Sequence, residues 1–147
     1  MDIQQDRFNL GRFLKAQDGV YPIALGELQD GRKRSHWMWY IFPQLKHLGF
    51  SYNSKYYGIG GADEARAYLE NPVLAGRLRV VAEAILALPT DDAVEVFGGI
   101  DSHKLRSSMT LFDAVAPGDV FARVLDKFFA GRRDGRTLSI LQEENQI

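Results

Sequence analysis

Two stretches of this 147-residue chain gather the residue types that carry chemistry. The first runs Arg34-Ser35-His36-Trp37-Met38-Trp39-Tyr40-Ile41-Phe42-Pro43-Gln44 and holds both tryptophans and one of the three histidines. Histidine is the side chain whose ordinary titration lies near neutral pH, so His36 is a candidate catalytic acid or base, or a ring that hydrogen-bonds a ligand. Arg34 and Gln44, at the two ends, would supply an anion clamp and an amide, and Trp37 or Trp39 would wall the site from water. Further along, Tyr56 and Tyr57 could close over a planar group. Each such ring hides roughly 150–250 Å² when buried, so both tryptophans are expected to be mostly buried, in the core, in a pocket, or in both.

The second stretch is Asp101-Ser102-His103-Lys104-Leu105-Arg106-Ser107-Ser108. With Asp101 as the N-cap of a helix, Lys104 and Ser108 fall at i and i+4 on one face, Ser107 lies beside them, and Ser102 sits near the positive end of the helix dipole. Free backbone N–H groups, a lysine and two hydroxyls are the parts of a phosphate or carboxylate site. The competing reading makes Asp101 a plain cap, Lys104 a solvated side chain and the serines small residues at a helix crossing. A Ser108–Lys104 nucleophilic dyad has neither a Gly-x-Ser-x-Gly elbow nor a Ser-x-x-Lys motif behind it. Neither stretch makes a complete site alone. The expectation is that the fold brings them together, with His36 and Lys104 as the catalytic pair facing one pocket.

Other chemistries lack their residues. There is no cysteine, which removes disulfides, thiolate ligands and cysteine nucleophiles. His36, His47 and His103 form no His-Glu-x-x-His or related set, so no metal site is expected. Gly58-Ile59-Gly60-Gly61 lacks the Lys-Ser or Lys-Thr ending of a phosphate-binding loop, and no cofactor is implied. A formal charge of −1, from 18 basic and 19 acidic side chains, gives no global field for nucleic acid. The basic clusters Arg32-Lys33-Arg34 and Arg132-Arg133 with Arg136 read as solvated surface. No run approaches the roughly 20 apolar residues of a membrane span, and the first residues carry no secretory pattern. The expectation is a soluble cytoplasmic protein with no membrane or nucleic-acid partner; the sequence sets no oligomeric state.

The elements that must position these groups are helical in pattern, with apolar residues three and four apart between strong caps. Helices are expected from Asp6 to Gln17, from Tyr21 to Gly31 with Pro22 in the first turn, and from a Ser35 cap to Tyr40 or Ile41, where Pro43 stops it. From Gln44 to Ala62 the period fails, and glycines alternate with aromatics in a long loop that its rings should pack down; a minor hairpin from Gly49 to Ile59 is the alternative. Asp63, Asn71 and the Pro89-Thr90-Asp91-Asp92 stretch can open further helices, and the Asn71–Pro72 helix carries a broad apolar face that should be central. Asp101 can cap the next, Asp119 to Ala130 forms another, and Thr137 can cap a short terminal segment. The fold class is all-α: a compact multihelical bundle or array, residues 1–147 as one domain, with one long aromatic- and Gly-rich loop.

Ser35 to Gln44, Tyr56-Tyr57-Gly58-Ile59, Ala67-Tyr68-Leu69, Pro72 with Leu74, and Asp101 with Lys104 and Ser107 to Phe112 together resemble a bacterial family of unknown function, sometimes labelled calpastatin, a label nothing in these residues justifies. The resemblance runs over nearly the whole chain. It implies a small multihelical cytoplasmic domain and brings no reaction, substrate or cofactor, so the site rests on the residues' own chemistry. The leading function is a site for a phosphorylated or nucleotide-like small molecule, ADP-ribose among them, with hydrolysis or group transfer as the reaction that His36 and Lys104 would serve. The alternative is a protein-interaction module in which Trp37, Trp39 and the tyrosine-rich loop form an exposed aromatic patch. An aromatic core serving stability alone is the third.

Overall fold

Helix starts in this chain are written in short polar signals, and the computed structural model, which describes residues 6–145, shows which of them are used. Asn71 accepts hydrogen bonds from the N–H groups of Val73 and Leu74, and Pro72, with no N–H to satisfy, takes the first turn. Asp92 caps in the same manner, on Val94 and Glu95, and Asp119 accepts the N–H of the adjacent Val120. The result, among the described residues, is ten α-helices and no strand: α1 Gly11–Gln17, α2 Tyr21–Gln29, α3 Met38–Ile41, α4 Tyr52–Tyr56, α5 Ala62–Glu70, α6 Pro72–Leu86, α7 Ala93–Phe97, α8 Gly99–Val115, α9 Val120–Phe129 and α10 Gly135–Asn145. The fold is a compact all-α domain, and among the described residues no helix is long and apolar enough to cross a membrane.

One apolar cluster runs from Leu10 to Leu141. The α6 face of Leu74, Leu78, Val81, Ala82 and Ile85 is buried as its spacing requires, packed against α2, α5 and α9. The helix enclosed on every side is α8, where all residues from Ser107 to Phe112 are buried between α5, α7, α9 and α10. Its small polar residues allow that: Thr110 turns its hydroxyl onto the carbonyl of Arg106 at 2.7 Å.

Several expected boundaries move for local reasons. The first helix begins at Gly11 and not Asp6, because Asn9 lies in the left-handed region (φ 55°) and the Asp6 carboxylate takes the N–H groups of Leu10 and Gly11. Ser35 does not cap α3; its hydroxyl donates to Glu27 instead, and Trp37 is the residue before the helix. Asp101 does not cap α8, which opens after Gly98 at φ 82°. Thr137 lies inside α10, and it is Asp134 whose carboxylate accepts its N–H at 3.0 Å.

The expected loop from Gln44 to Ala62 is more ordered than its composition suggests. It contains a 3-10 turn, Lys46–Leu48, and α4, capped by Ser51 on the N–H of Ser54. In place of a hairpin there is one isolated parallel bridge, Leu45 to Ile59, closed by Lys46 N–H to Ile59 O at 2.8 Å and Ile59 N–H to Gln44 O at 2.9 Å. A Cβ on Gly58 would stand 2.4 Å from the Cα of Lys46, so only glycine permits this crossing. Arg12 of α1 then pins the loop. Its guanidinium donates to the carbonyls of Tyr56, Gly58, Phe8 and Asn9 and to Glu64 Oε2 at 2.7 Å, occupying all five N–H groups.

Candidate functional site

The Arg34–Gln44 stretch takes its shape from a carboxylate on α2. Glu27 is buried, and it accepts hydrogen bonds from Arg34 N–H (2.8 Å), Ser35 N–H (3.0 Å), the Ser35 hydroxyl (2.6 Å) and the indole N–H of Trp37 (3.0 Å). Burial alone would push its titration up, but these four donors outweigh it and hold the carboxyl at about pKa 2. Wrapping the segment around Glu27 drives Trp37 into the core, fully buried, and leaves His36 and Trp39 on the outer side, His36 exposed and Trp39 half-buried.

Helix α8 arrives against that outer side. Lys33, held by its N–H to the carbonyl of Val96, reaches Asp101 Oδ2 at 2.9 Å. Asp101 also meets Lys104 at 3.4 Å, and the Lys104 ammonium lies 4.7 Å from the centre of the Trp39 ring. Trp39 and Lys104 thus form a ridge with a cleft on each side. His36, Asp101 and Lys33 line the first, of about 410 Å³. Gln44, His103, Ser107 and Arg136 line the second, of about 460 Å³. Ile100, 76% exposed, borders both.

The structure therefore brings His36, Gln44, Asp101, Lys104 and Ser107 to one ridge and separates the other candidates from it. Arg34 lines neither cleft; its guanidinium lies in water beside Asp30 at 3.3 Å, while its backbone N–H serves Glu27. Trp37 walls nothing, because its ring is in the core and its polar edge is taken. Tyr56 and Tyr57 stand elsewhere: Tyr56 lines a separate groove beside Arg12, and Tyr57 packs on Phe13 and Tyr40, where burial together with Tyr56, Tyr40 and Tyr52 pushes its phenol up from the ordinary value. Ser108 is fully buried, and its hydroxyl has no partner among the described residues, since one step along α8 from Ser107 turns a side chain about 100° away. Asp101 sits in the first turn of α8 as a carboxylate flanked by two lysines, so the helix start is already served by a negative charge and is not a vacant anion cradle.

In the sequence Lys33 and Arg136 read only as members of solvated basic clusters. Nothing local marks them, because their place in the site comes from contacts across the chain. His103 lay inside a stretch already singled out, next to Lys104, and that adjacency was the available signal. Among the described residues no group of three or more histidines, aspartates or glutamates is placed to hold a metal.

A family model, DUF1810, described as a protein of unknown function, matches residues 7–141. Among solved structures the chain is similar to the conserved hypothetical protein Rv1873 from Mycobacterium tuberculosis. The two are 42% identical with a TM-score of 0.88 over 93% of this chain and 99% of that one. No curated protein matches the chain.

Proposed function

The chain belongs to the DUF1810 family, and we propose that its Trp39–Lys104 ridge binds a small anionic molecule of the phosphorylated or nucleotide-like class. The observation that carries this reading is the convergence itself: the two stretches richest in polar chemistry, far apart in sequence, meet at one ridge with donors on both sides. Lys33, Lys104 and Arg136 are set against the carboxylates of Asp101 and Asp134, an excess of one positive charge before either histidine is protonated. Asp101 is engaged by two lysines and Asp134 by Thr137. Lys104, Arg136, His36, His103, Ser107 and Gln44 are the donors that face the clefts. An anion over Lys104 would also draw on Arg136, and the exposed part of the Trp39 ring offers a flat surface to a base or sugar. Hydrolysis or group transfer on such a ligand would use His36 as proton carrier and Lys104 as the charge beside the anion.

Thermal-shift titration with nucleotides, ADP-ribose and sugar phosphates tests the reading. A ligand at 100 times its dissociation constant stabilises the protein by about 2.7 kcal/mol. The shift should vanish in Lys104→Ala and shrink in His36→Ala, and it should persist in Tyr56→Ala, which lies outside the ridge. A shift indifferent to Lys104 would overturn the proposal. Turnover of the bound compound that is lost in His36→Ala while binding survives would establish the catalytic part.

A further inference from the structure

The pinned loop carries large rings in water: Phe50 is 87% exposed, Tyr52 75% and Tyr56 43%. Such rings on a wandering loop would mean little. Here the backbone beneath them is fixed, by the Leu45–Ile59 bridge, by the Gly58 crossing and by Arg12 on the carbonyls of Tyr56 and Gly58. Tyr52 and Tyr56, one turn apart on α4, lie with their planes 6° from parallel and their centres 5.8 Å apart. They form one wall of a groove of about 470 Å³ that Lys46 and Lys55 also line, with Phe8 and Asn9 among its other residues. From residue 44 to residue 62 there is no aspartate or glutamate, and Glu64, the carboxylate that reaches the groove, is already matched by Arg12. The groove is thus aromatic, cationic and held in shape, and it shares no lining residue with the clefts at Trp39.

We propose that this groove docks an acidic segment of a partner protein, one that lays an aromatic or long aliphatic side chain along Tyr52 and Tyr56 while its carboxylates meet Lys46 and Lys55. Tyrosine gives large contact area at low entropic cost and is enriched where a few residues carry most of the binding energy. The two lysines select for opposite charge and speed the encounter. Two lysines in a chain of net charge −1 are too few to hold the backbone of a nucleic acid, and this favours a peptide over an oligonucleotide.

Random linear peptides displayed on phage, selected on the full chain and counter-selected on a Tyr52→Ala/Lys55→Glu variant, give the test. The enriched peptides are expected to be acidic around an aromatic or leucine-like residue, and to bind more weakly as salt rises. Tyr52→Ala should weaken a synthesised winner by about thirtyfold, the loss typical of a hot-spot aromatic, and Lys55→Glu by about tenfold. Both variants should melt with the wild type, because both side chains stand in water. Three results would overturn the proposal: no enrichment over the variant, enrichment of neutral or basic peptides, or an oligothymidylate that binds the wild type more tightly than any selected peptide and loses that binding in the same variants.

Discussion

Arg12 and Lys104 are both cations laid on an aromatic ring within reach of a carboxylate, and they differ in what each has left over. Arg12 sits 4.3 Å from the centre of Phe13 and 2.7 Å from Glu64, and its remaining N–H groups end on four carbonyls. Lys104 sits 4.7 Å from the centre of Trp39 with a single longer contact to Asp101 at 3.4 Å, its side chain 24% exposed. The same triad of cation, ring and carboxylate therefore serves two ends. Saturated and buried, it holds a loop to a helix; unsaturated and open, it keeps donors facing a cleft. What separates a structural polar group from one available to a ligand is the count of unmet hydrogen bonds, and residue type does not reveal it.

The sharpest way to break that comparison is to empty the saturated site. Arg12→Met leaves Glu64 charged and unpaired in the interior, and urea unfolding should show a loss of about 3–5 kcal/mol. Lys104→Ala, by contrast, should stay within about 0.5 kcal/mol of wild type. The tryptophans extend the contrast to neutral groups. Trp37→Ala should cost about 3–5 kcal/mol, as a fully buried ring does, and Trp39→Ala about 1 kcal/mol by the same denaturation. Equal costs would mean that Trp39 belongs to the core.

Glu27 is the saturated carboxylate to set beside Asp101. With its folded carboxyl at about 2 against an ordinary 4.5, its contribution is complete above about pH 4.5, where the folded and unfolded forms are both ionised. The contribution is lost as pH falls toward 2, because the unfolded chain takes up a proton that the folded one refuses. Urea titrations across that range should show the gap between wild type and Glu27→Gln closing on acidification. A gap that stays constant would mean that the four donors do not favour the charged form. One substitution has the opposite sign. Ser108 buries a hydroxyl without a partner among the described residues, so Ser108→Ala should raise stability by about 1 kcal/mol, readable as an upward shift of the thermal midpoint.

The all-α class and most helix starts were legible because they rest on local chemistry. Asn71 with Pro72, and Asp92, act on N–H groups two or three residues away, Asp119 acts on the next one, and α6 and α9 declare their buried faces by spacing. What failed was equally physical. Ser35 and Asp101 carry the right side chains for caps, but each is claimed by a partner outside its own helix, Glu27 for one and Lys33 for the other. The ridge was half legible: His36 and Lys104 stood out by type, whereas Lys33 and Arg136 earn their places only through tertiary contact. Trp37 and Trp39, two residues apart and alike in sequence, were separated into core and cleft by one indole hydrogen bond to Glu27.

Arg12 grips the loop through carbonyl oxygens, which every residue possesses, and the base of the loop closes on backbone pairs and a single glycine. The anchor is therefore indifferent to most of the side chains it holds up. Over evolutionary time the outer face of α4 can be rewritten one residue at a time, in charge, in size or in aromatic content, while the scaffold beneath keeps its shape. A surface mounted this way can change its chemistry without disturbing the fold that carries it.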